Sequence, residues 1–409
     1  MKIYILIAVI LLTSGCASYD YSEHKKESLI NPKIEHLDKI PLIHLKGNEY
    51  QRGFQYGKLY PYKWHQAVQK LEKAAIREID DYLFFYGLSQ MTYRRYTDYV
   101  YAQAENYIPE KYKAYIQGIS DGSGLEVYQV ARLIATVMVS DASCSGFIAL
   151  GSATEDGRLI QTRNLDWGDE IMRAQESTVL LAHEPKDGYR YLSIGFIGLV
   201  GSVSGINEHG ISLTEIGANS IDKTRAGTPM PLILEEVLAK AKNLDEAFRI
   251  IADTPGTGGY NFLIGSAKEK RGLVIEKTAK LIAWHEVGSG GYRSFTNYFY
   301  DIEGFDCRAD LAADNEIRRR HGFDLPPKCE SYRDRYEPQI KLMKHFKKLN
   351  IKRASVIMKA VAPKDNLHSI IYDFSKGKVY FRNKAIVTSE DIRAAAQEPI
   401  IIDLKKIWD

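Results

Sequence analysis

Asp141-Ala142-Ser143-Cys144-Ser145-Gly146 leads into a β-rich run from Phe147 to Ala153, a turn at Glu155-Asp156-Gly157, and a second run from Leu159 ending in Arg163-Asn164-Leu165-Asp166-Trp167. Asp-Gly between two apolar runs is a strong hairpin signal, because both residues tolerate the left-handed backbone of a tight turn. Folding the chain there sets the end of the second strand beside the start of the first. Arg163 and Asp166 are therefore expected near Cys144. Side chains alternate across a strand, and a one-residue slip in register reverses every face. A spacing of three puts Arg163 and Asp166 on opposite faces of an ideal strand, so one must sit on a bend if both serve the thiol. Proximity follows from the sequence; facing does not.

The grouping suits thiol chemistry. A thiol of pKa about 8.5 is mostly protonated at neutral pH, and a nearby guanidinium favours the thiolate. A carboxylate can orient that arginine or receive a substrate ammonium. If the bond before Cys144 is cut, the residue gains an α-amine of pKa about 8, placed to act as its base. No catalytic histidine is then needed, and none of the ten histidines sits in a Cys/His signature. A lone cysteine is otherwise more often a core residue. His-Glu-x-x-His and paired Cys-x-x-Cys spacings are lacking, so neither a metal nor another cofactor is expected.

Upstream, Glu49 to Ser140 reads as mostly helical. Apolar residues recur at three- and four-residue spacing from Tyr62 to Tyr86, and Leu125 to Val139 resumes as a buried helix after Asp121-Gly122-Ser123-Gly124. Downstream come short glycine-punctuated strands at Thr178–Ala182, Tyr189–Phe196, Leu199–Ile206 and Gly210–Ile216. Helices are expected over Met230–Ala252, with Asn243-x-x-Glu246 as a capping box. Strands follow at Asn261–Ile264, Gly272–Glu276 and Leu281–Val287. A helical stretch from about Tyr332 to Val361 precedes a hairpin of Ser369–Phe374 and Lys378–Phe381. Strands in runs, interleaved with helix pairs, predict an α+β layered sandwich rather than an alternating doubly wound sheet.

The chain has 409 residues, 45% apolar and 26% charged, with a net charge of +3. This balance does not suggest a nucleic-acid partner. Arg318-Arg319-Arg320-His321 is a local basic run, readable as a solvated helix face or as a site for a substrate carboxylate. Lys2, the apolar run Ile3–Leu12 and Thr13-Ser14-Gly15-Cys16 have the form of an export signal, and the run is too short to span a bilayer. Cys16 after Ser14-Gly15 resembles a bacterial lipobox. That implies loss of residues 1–15, lipidation of Cys16 and a membrane anchor, at the outer membrane facing the periplasm in a Gram-negative host. Residues 16–40 are polar and are expected to form a tether. Cys307 and Cys329 could form a disulfide in an oxidising compartment or stay as two thiols. Cys144 remains as the odd thiol of an exported chain.

Cys144-Ser145-Gly146-Phe147, Thr154-Glu155-Asp156-Gly157 and Thr162-Arg163-Asn164-Leu165-Asp166-Trp167 resemble the mature N-terminus of the penicillin acyltransferase family. These are self-cleaving N-terminal-nucleophile hydrolases, relatives of choloylglycine hydrolases and acid ceramidase. Gly47–Gly57 and Ile116–Gly124 are similar to that family's two leader motifs. Gly205–Gly210, Asn261–Ile264 and Leu367–Asp373 then follow in family order, so the resemblance runs from about residue 40 to 385. It implies a four-layer αββα sandwich over residues 144–409 and a mostly helical leader over 41–143. It also implies that Cys144 attacks the Ser143 carbonyl, frees itself, and takes acyl groups from a small linear amide as a thioester. The leader would stay as a non-covalent subunit. By the same resemblance Arg163 and Asp166 poise the thiol and bind substrate, and Asn261 stands in the oxyanion hole. Asn164, Glu276, Asn297 and Arg318 fall at weaker family positions. Tyr298 after Asn297, and Gly217, depart from the family pattern, which leaves the second oxyanion donor and the substrate class open. Hydrolysis is expected over transfer, since water is the default acceptor. Two other readings stay open: a hydrolase that keeps its leader attached, and a lipid-anchored binding protein without activity.

Overall fold

The computed structural model describes residues 31–83, 86–139, 143–167, 176–218, 220, 222–288, 290–297, 299, 302, 332–385 and 392–408. The export signal, Cys16, Cys307, Cys329 and Arg318 lie outside the described residues. The chain forms two compact units. One takes residues up to 140 with 169–203 and 224–239; the other takes 141–168, 204–223 and 240–409. The first unit is thus more than the expected leader, since it includes two segments from beyond Cys144.

In the first unit, β1 (Lys33–Leu37) and β2 (Ile40–Gly47) form a hairpin. The expected tether therefore stops short of residue 40. Its composition is polar, but Asp38 takes a left-handed φ of 56° and turns the chain so that Ile34 pairs with Ile43. β2 runs parallel to β5 (Thr178–Pro185), which pairs antiparallel with β6 (Tyr191–Phe196). The strand expected at Leu199–Ile206 is reduced to Ser204–Asn207, because Gly198 and Gly201 take φ values of 104° and 91° and turn the chain before it.

Five helices fill the expected helical region: α1 (Glu49–Leu59), α2 (Pro61–Leu83), α3 (Tyr86–Glu105), α4 (Glu110–Ser123) and α5 (Val127–Val139), with α6 (Met230–Lys240) further on. The two leader-like motifs are partners. Gly53 and Gly57 of α1 face Gly118 and Gly122 of α4, and a Cβ at any of the four would come within 2.1–2.4 Å of a backbone oxygen of the other helix. Spacing by four keeps each pair on one face, so the helices approach backbone to backbone. Arg52, between these glycines, is buried. It donates to His183 Nδ1 at 2.7 Å and to the Tyr191 hydroxyl at 3.0 Å, with Glu235 at 3.7 Å. A buried charge needs such partners.

Among the described residues the second unit holds strands of two sheets. β3 (Ser143–Gly151), β4 (Gly157–Asp166), β12 (Tyr292–Phe295), β13 (Asn366–Asp373), β14 (Lys378–Asn383) and β15 (Ile400–Asp403) are ordered β12-β3-β4-β13-β14-β15. β7 (Ser204–Asn207), β8 (Ile211–Ala218), β9 (Gly259–Ser266), β10 (Arg271–Lys277) and β11 (Ile282–Val287) neighbour one another in chain order. Its α-helices among the described residues are α7 (Leu244–Asp253), α8 (Glu337–Phe346), α9 (Ile351–Val361) and α10 (Leu404–Trp408). The single stretch expected from Tyr332 to Val361 is broken. Lys347, at φ 58°, ends α8, and Asn350 accepts from the Arg353 N–H to start α9. The capping box at α7 is shifted: Asn243 Oδ1 accepts from the Glu246 N–H, but the Glu246 carboxylate accepts from Lys242 rather than Asn243.

Phe147, Ala149, Ile160 and Ile371 pack against Met343, Ala354, Ile357 and Met358 of α8 and α9. Each such buried side chain contributes about 1.5–3 kcal/mol when large and apolar. The opposite face of that sheet meets β7–β11: Gln161 donates to Thr214 Oγ1 and to the Leu263 carbonyl, and Ile148 lies against Gly272. On the far side, Phe248 of α7 meets Trp284 of β11 edge-on at 5.2 Å. The second unit is an α+β sandwich with the layer order α-β-β-α.

Candidate active site

Cys144 opposes Leu165 and Ser145 opposes Asn164 across β3 and β4, with Gly157 at φ 73° in the turn. This register puts Cys144, Arg163 and Leu165 on the face toward the second sheet, and Asn164 and Asp166 on the face toward the helices. Asn164 accordingly donates to the Met358 carbonyl of α9 at 2.9 Å, away from the thiol.

Cys144 is fully buried. Arg163 Nη2 donates to its Sγ at 3.4 Å and to Glu215 Oε2 at 3.3 Å, while Nη1 donates to Ser204 Oγ at 2.8 Å. Burial pushes the thiol up to about 11, against the pull of the Arg163 guanidinium. Burial likewise pushes the Glu215 carboxyl up to about 7, with Arg163 opposing. In the intact chain the thiol is thus protonated and shares one arginine with a carboxyl group that titrates near neutrality.

The bend that would turn Asp166 toward the thiol is not there. Asp166 accepts from Arg335 Nη1 at 3.2 Å and from Asn366 Nδ2 at 2.8 Å, and burial pushes its carboxyl up to about 7 against both partners. The register shift lies in β13, between Asn366 and His368, and it brings the Asn366 amide to Asp166. Asp166 is linked to Cys144 through Arg335, whose Nη1 also donates to the Cys144 carbonyl at 3.2 Å.

The Cys144 N–H donates to Asn297 Oδ1 at 3.1 Å, and Asn297 Nδ2 donates to the Gly217 carbonyl at 2.7 Å. Asn261 sits one residue away, its Nδ2 donating to the Thr296 carbonyl at 3.0 Å. Glu276 opposes Asn261 across β9 and β10 and accepts from the Ile302 N–H at 3.0 Å. The structure therefore gathers Cys144, Arg163, Asp166 and Asn297. It ties Asn261 and Glu276 to the neighbouring backbone.

Four contributors were not found from the sequence: Ser204, Glu215, Arg335 and Asn366. Glu215 carried a signal, being a carboxylate inside the otherwise buried strand Ile211–Ala218. Arg335 carried none that separated it from the Arg318 run.

Residues 152–385, more than half of the chain, match the acyl-coenzyme A:6-aminopenicillanic acid acyl-transferase family. The chain is 24% identical over 258 residues to protein dcd1B of Dictyostelium discoideum, covering 60% of this chain and 52% of that protein. It spans about half the length of the curated relatives it matches. Among solved structures it is similar to a Caenorhabditis elegans N-acylethanolamine-hydrolyzing acid amidase ortholog, at 14% identity and TM-score 0.43, over 63% of this chain and 100% of that one. It is also similar to penicillin V acylase from Agrobacterium tumefaciens, at 15% identity and TM-score 0.40, over 64% and 87%. With the family match running from the β3–β4 turn to the end of β14, the chain belongs to the acyl-coenzyme A:6-aminopenicillanic acid acyl-transferase family.

Proposed function

We propose that this chain is a cysteine amidohydrolase or acyltransferase that activates itself by cutting before Cys144. The observation that carries this reading is the double hold on that residue: Arg163 on the sulfur and Asn297 on the backbone nitrogen. The thiol passes its proton to Glu215, which shares the Arg163 guanidinium, and Sγ attacks the Ser143 carbonyl carbon. The Ser143–Cys144 C–N bond breaks, the nitrogen takes a proton, and the acyl group rests on sulfur as a thioester. Water hydrolyses the thioester, leaving a Ser143 carboxylate and a free thiol. The full burial of the thiol supports reading the intact chain as the precursor.

After cleavage the nitrogen is an α-amine still facing Asn297 Oδ1. It takes the thiol proton in each turnover and returns it to the leaving amine. Sγ forms a thioester with the acyl group of a linear amide, and water or an acceptor amine removes it. Asp166 fixes Arg335, which fixes the Cys144 carbonyl. Asn261 joins the oxyanion hole by exchanging the Thr296 carbonyl for the substrate oxygen. Ile3–Leu12 and Cys16 support export and lipid anchoring, so the substrate is met in the cell envelope, and the leader remains as a subunit.

The test is to incubate the protein with N-acyl amino acids, bile-acid conjugates and β-lactams and to weigh the fragment beginning at Cys144. An acyl adduct on that fragment, absent from Cys144→Ala, is expected. Turnover that survives in Cys144→Ala would overturn the reading.

A further inference from the structure

Residues 338–364 hold eight lysines and arginines, one histidine and no aspartate or glutamate. They contribute +8 to a chain of net charge +3, so the remainder sums to −5. The stretch is α8 after its first residue, Glu337, then the connection, α9 and the three residues beyond it. Met343, Ala354, Ile357 and Met358 turn to the sheet. Lys341 and Lys344 on α8, Lys347 and Lys348 in the connection, and Lys352, Val356 and Lys359 on α9 are exposed. Steps of three and four place Lys352, Val356 and Lys359 on one stripe of α9.

A merely solvated face mixes both signs, with carboxylates three or four residues from the lysines. Here Glu337 stands four residues before Lys341 and Arg353 pairs with Glu155 at 2.8 Å, while Lys344, Lys347, Lys348, Lys352 and Lys359 have no carboxylate partner among the described residues. α9 also opens on Lys352 and Arg353 with no acid in its first turn, against the positive end of the helix dipole. The chain thus concentrates positive charge on one face and neutralises little of it.

We propose that the outer face of α8–α9 docks on an anionic phospholipid membrane. Clustered lysines on an amphipathic helix fit a layer of lipid phosphates, whose attraction acts within a Debye length of the surface. Val356, 51% exposed amid the lysines, supplies an apolar contact at the interface. Single-stranded nucleic-acid binders interleave aromatic rings with their charges, and no phenylalanine, tyrosine or tryptophan among residues 338–364 is exposed. The choice of a membrane rests on the reading of Cys16 as a lipid anchor. The described chain begins at residue 31. The segment from Cys16 spans at most about 50 Å at roughly 3.5 Å per residue, which keeps the folded part within reach of the bilayer.

The test uses the full chain carrying Cys16→Ser, so that no lipid contributes. It is sedimented with vesicles of phosphatidylcholine alone and of an equal mixture of phosphatidylcholine and phosphatidylglycerol. Binding to the mixed vesicles only is expected, weakened about tenfold or more by high salt and by the combination Lys341→Gln, Lys344→Gln, Lys348→Gln and Lys352→Gln. Circular dichroism checks the fold, and Lys344→Gln with Lys348→Gln serves if the fourfold variant misfolds. Binding to neither vesicle, equal binding by the variants, or a preference for duplex DNA over mixed vesicles would each overturn the proposal. An unlipidated wild type, read from its mass, would sink the anchor reading without altering the vesicle result.

Discussion

Arg163 divides its guanidinium between a thiol and a carboxyl group, and that division governs the pH behaviour of the site. Glu215→Gln removes a negative charge that raises the thiol, so alkylation of Cys144 at neutral pH should accelerate several-fold. Self-cutting should nevertheless slow by about 10²–10⁴-fold, the usual contribution of a general base. The Glu215 carboxyl sits at about 7 when folded and about 4.3 when unfolded. Its protonated form therefore stabilises the fold fully below about pH 4, and that contribution is lost as pH rises through about 7. Buried His368, pushed down to about 3, acts in the opposite sense, losing stability as pH falls below about 6.5. The difference between variants is thus the informative quantity. In a Cys144→Ala background, Glu215→Gln should gain melting temperature over its parent as pH rises from about 5 to about 8; a flat difference would count against Glu215 as the buried proton holder. Cys144 and Arg163 were legible because one hairpin brings them together. Glu215, Arg335 and Asn366 reach the site from elements far along the chain, and no local pattern announces that.

At the scale of elements, the Asp156-Gly157 turn was readable and so was the pairing of β3 with β4. The face of Asp166 was not, because the compensating irregularity lies in β13 rather than in β4. The two glycine motifs could be seen in the sequence, but their meeting could not, since each completes the other across a helix pair. Gly118→Ala tests that meeting. Its Cβ would lie 2.2 Å from the Tyr50 carbonyl oxygen, so α1 and α4 must separate. Overpacking against backbone costs up to about 3 kcal/mol, outweighing the roughly 1 kcal/mol that alanine gains in helix propensity. A lower urea midpoint is expected in uncut Cys144→Ala protein, and an unchanged midpoint would show that the helices adjust freely. β1 escaped the composition argument because a polar, exposed edge strand differs little from a tether.

Across the whole chain, alternation of strand runs and helix pairs was enough to foresee the α+β sandwich. The two compact units were not foreseen, because the first recruits β5, β6 and most of α6 from beyond the expected cut. The overall net charge hid the local concentration on α8 and α9, which sums over the whole chain cannot show. What unites these levels is a single bond, Ser143–Cys144, placed at the start of a buried strand beside Arg163, Glu215 and Asn297. The intact mass of purified wild type beside Cys144→Ala tests it most directly. Wild type should yield two chains, one ending at Ser143 and one beginning at Cys144, while Cys144→Ala stays whole. An uncut wild type, or a Cys144→Ala protein split at the same bond, would contradict the account.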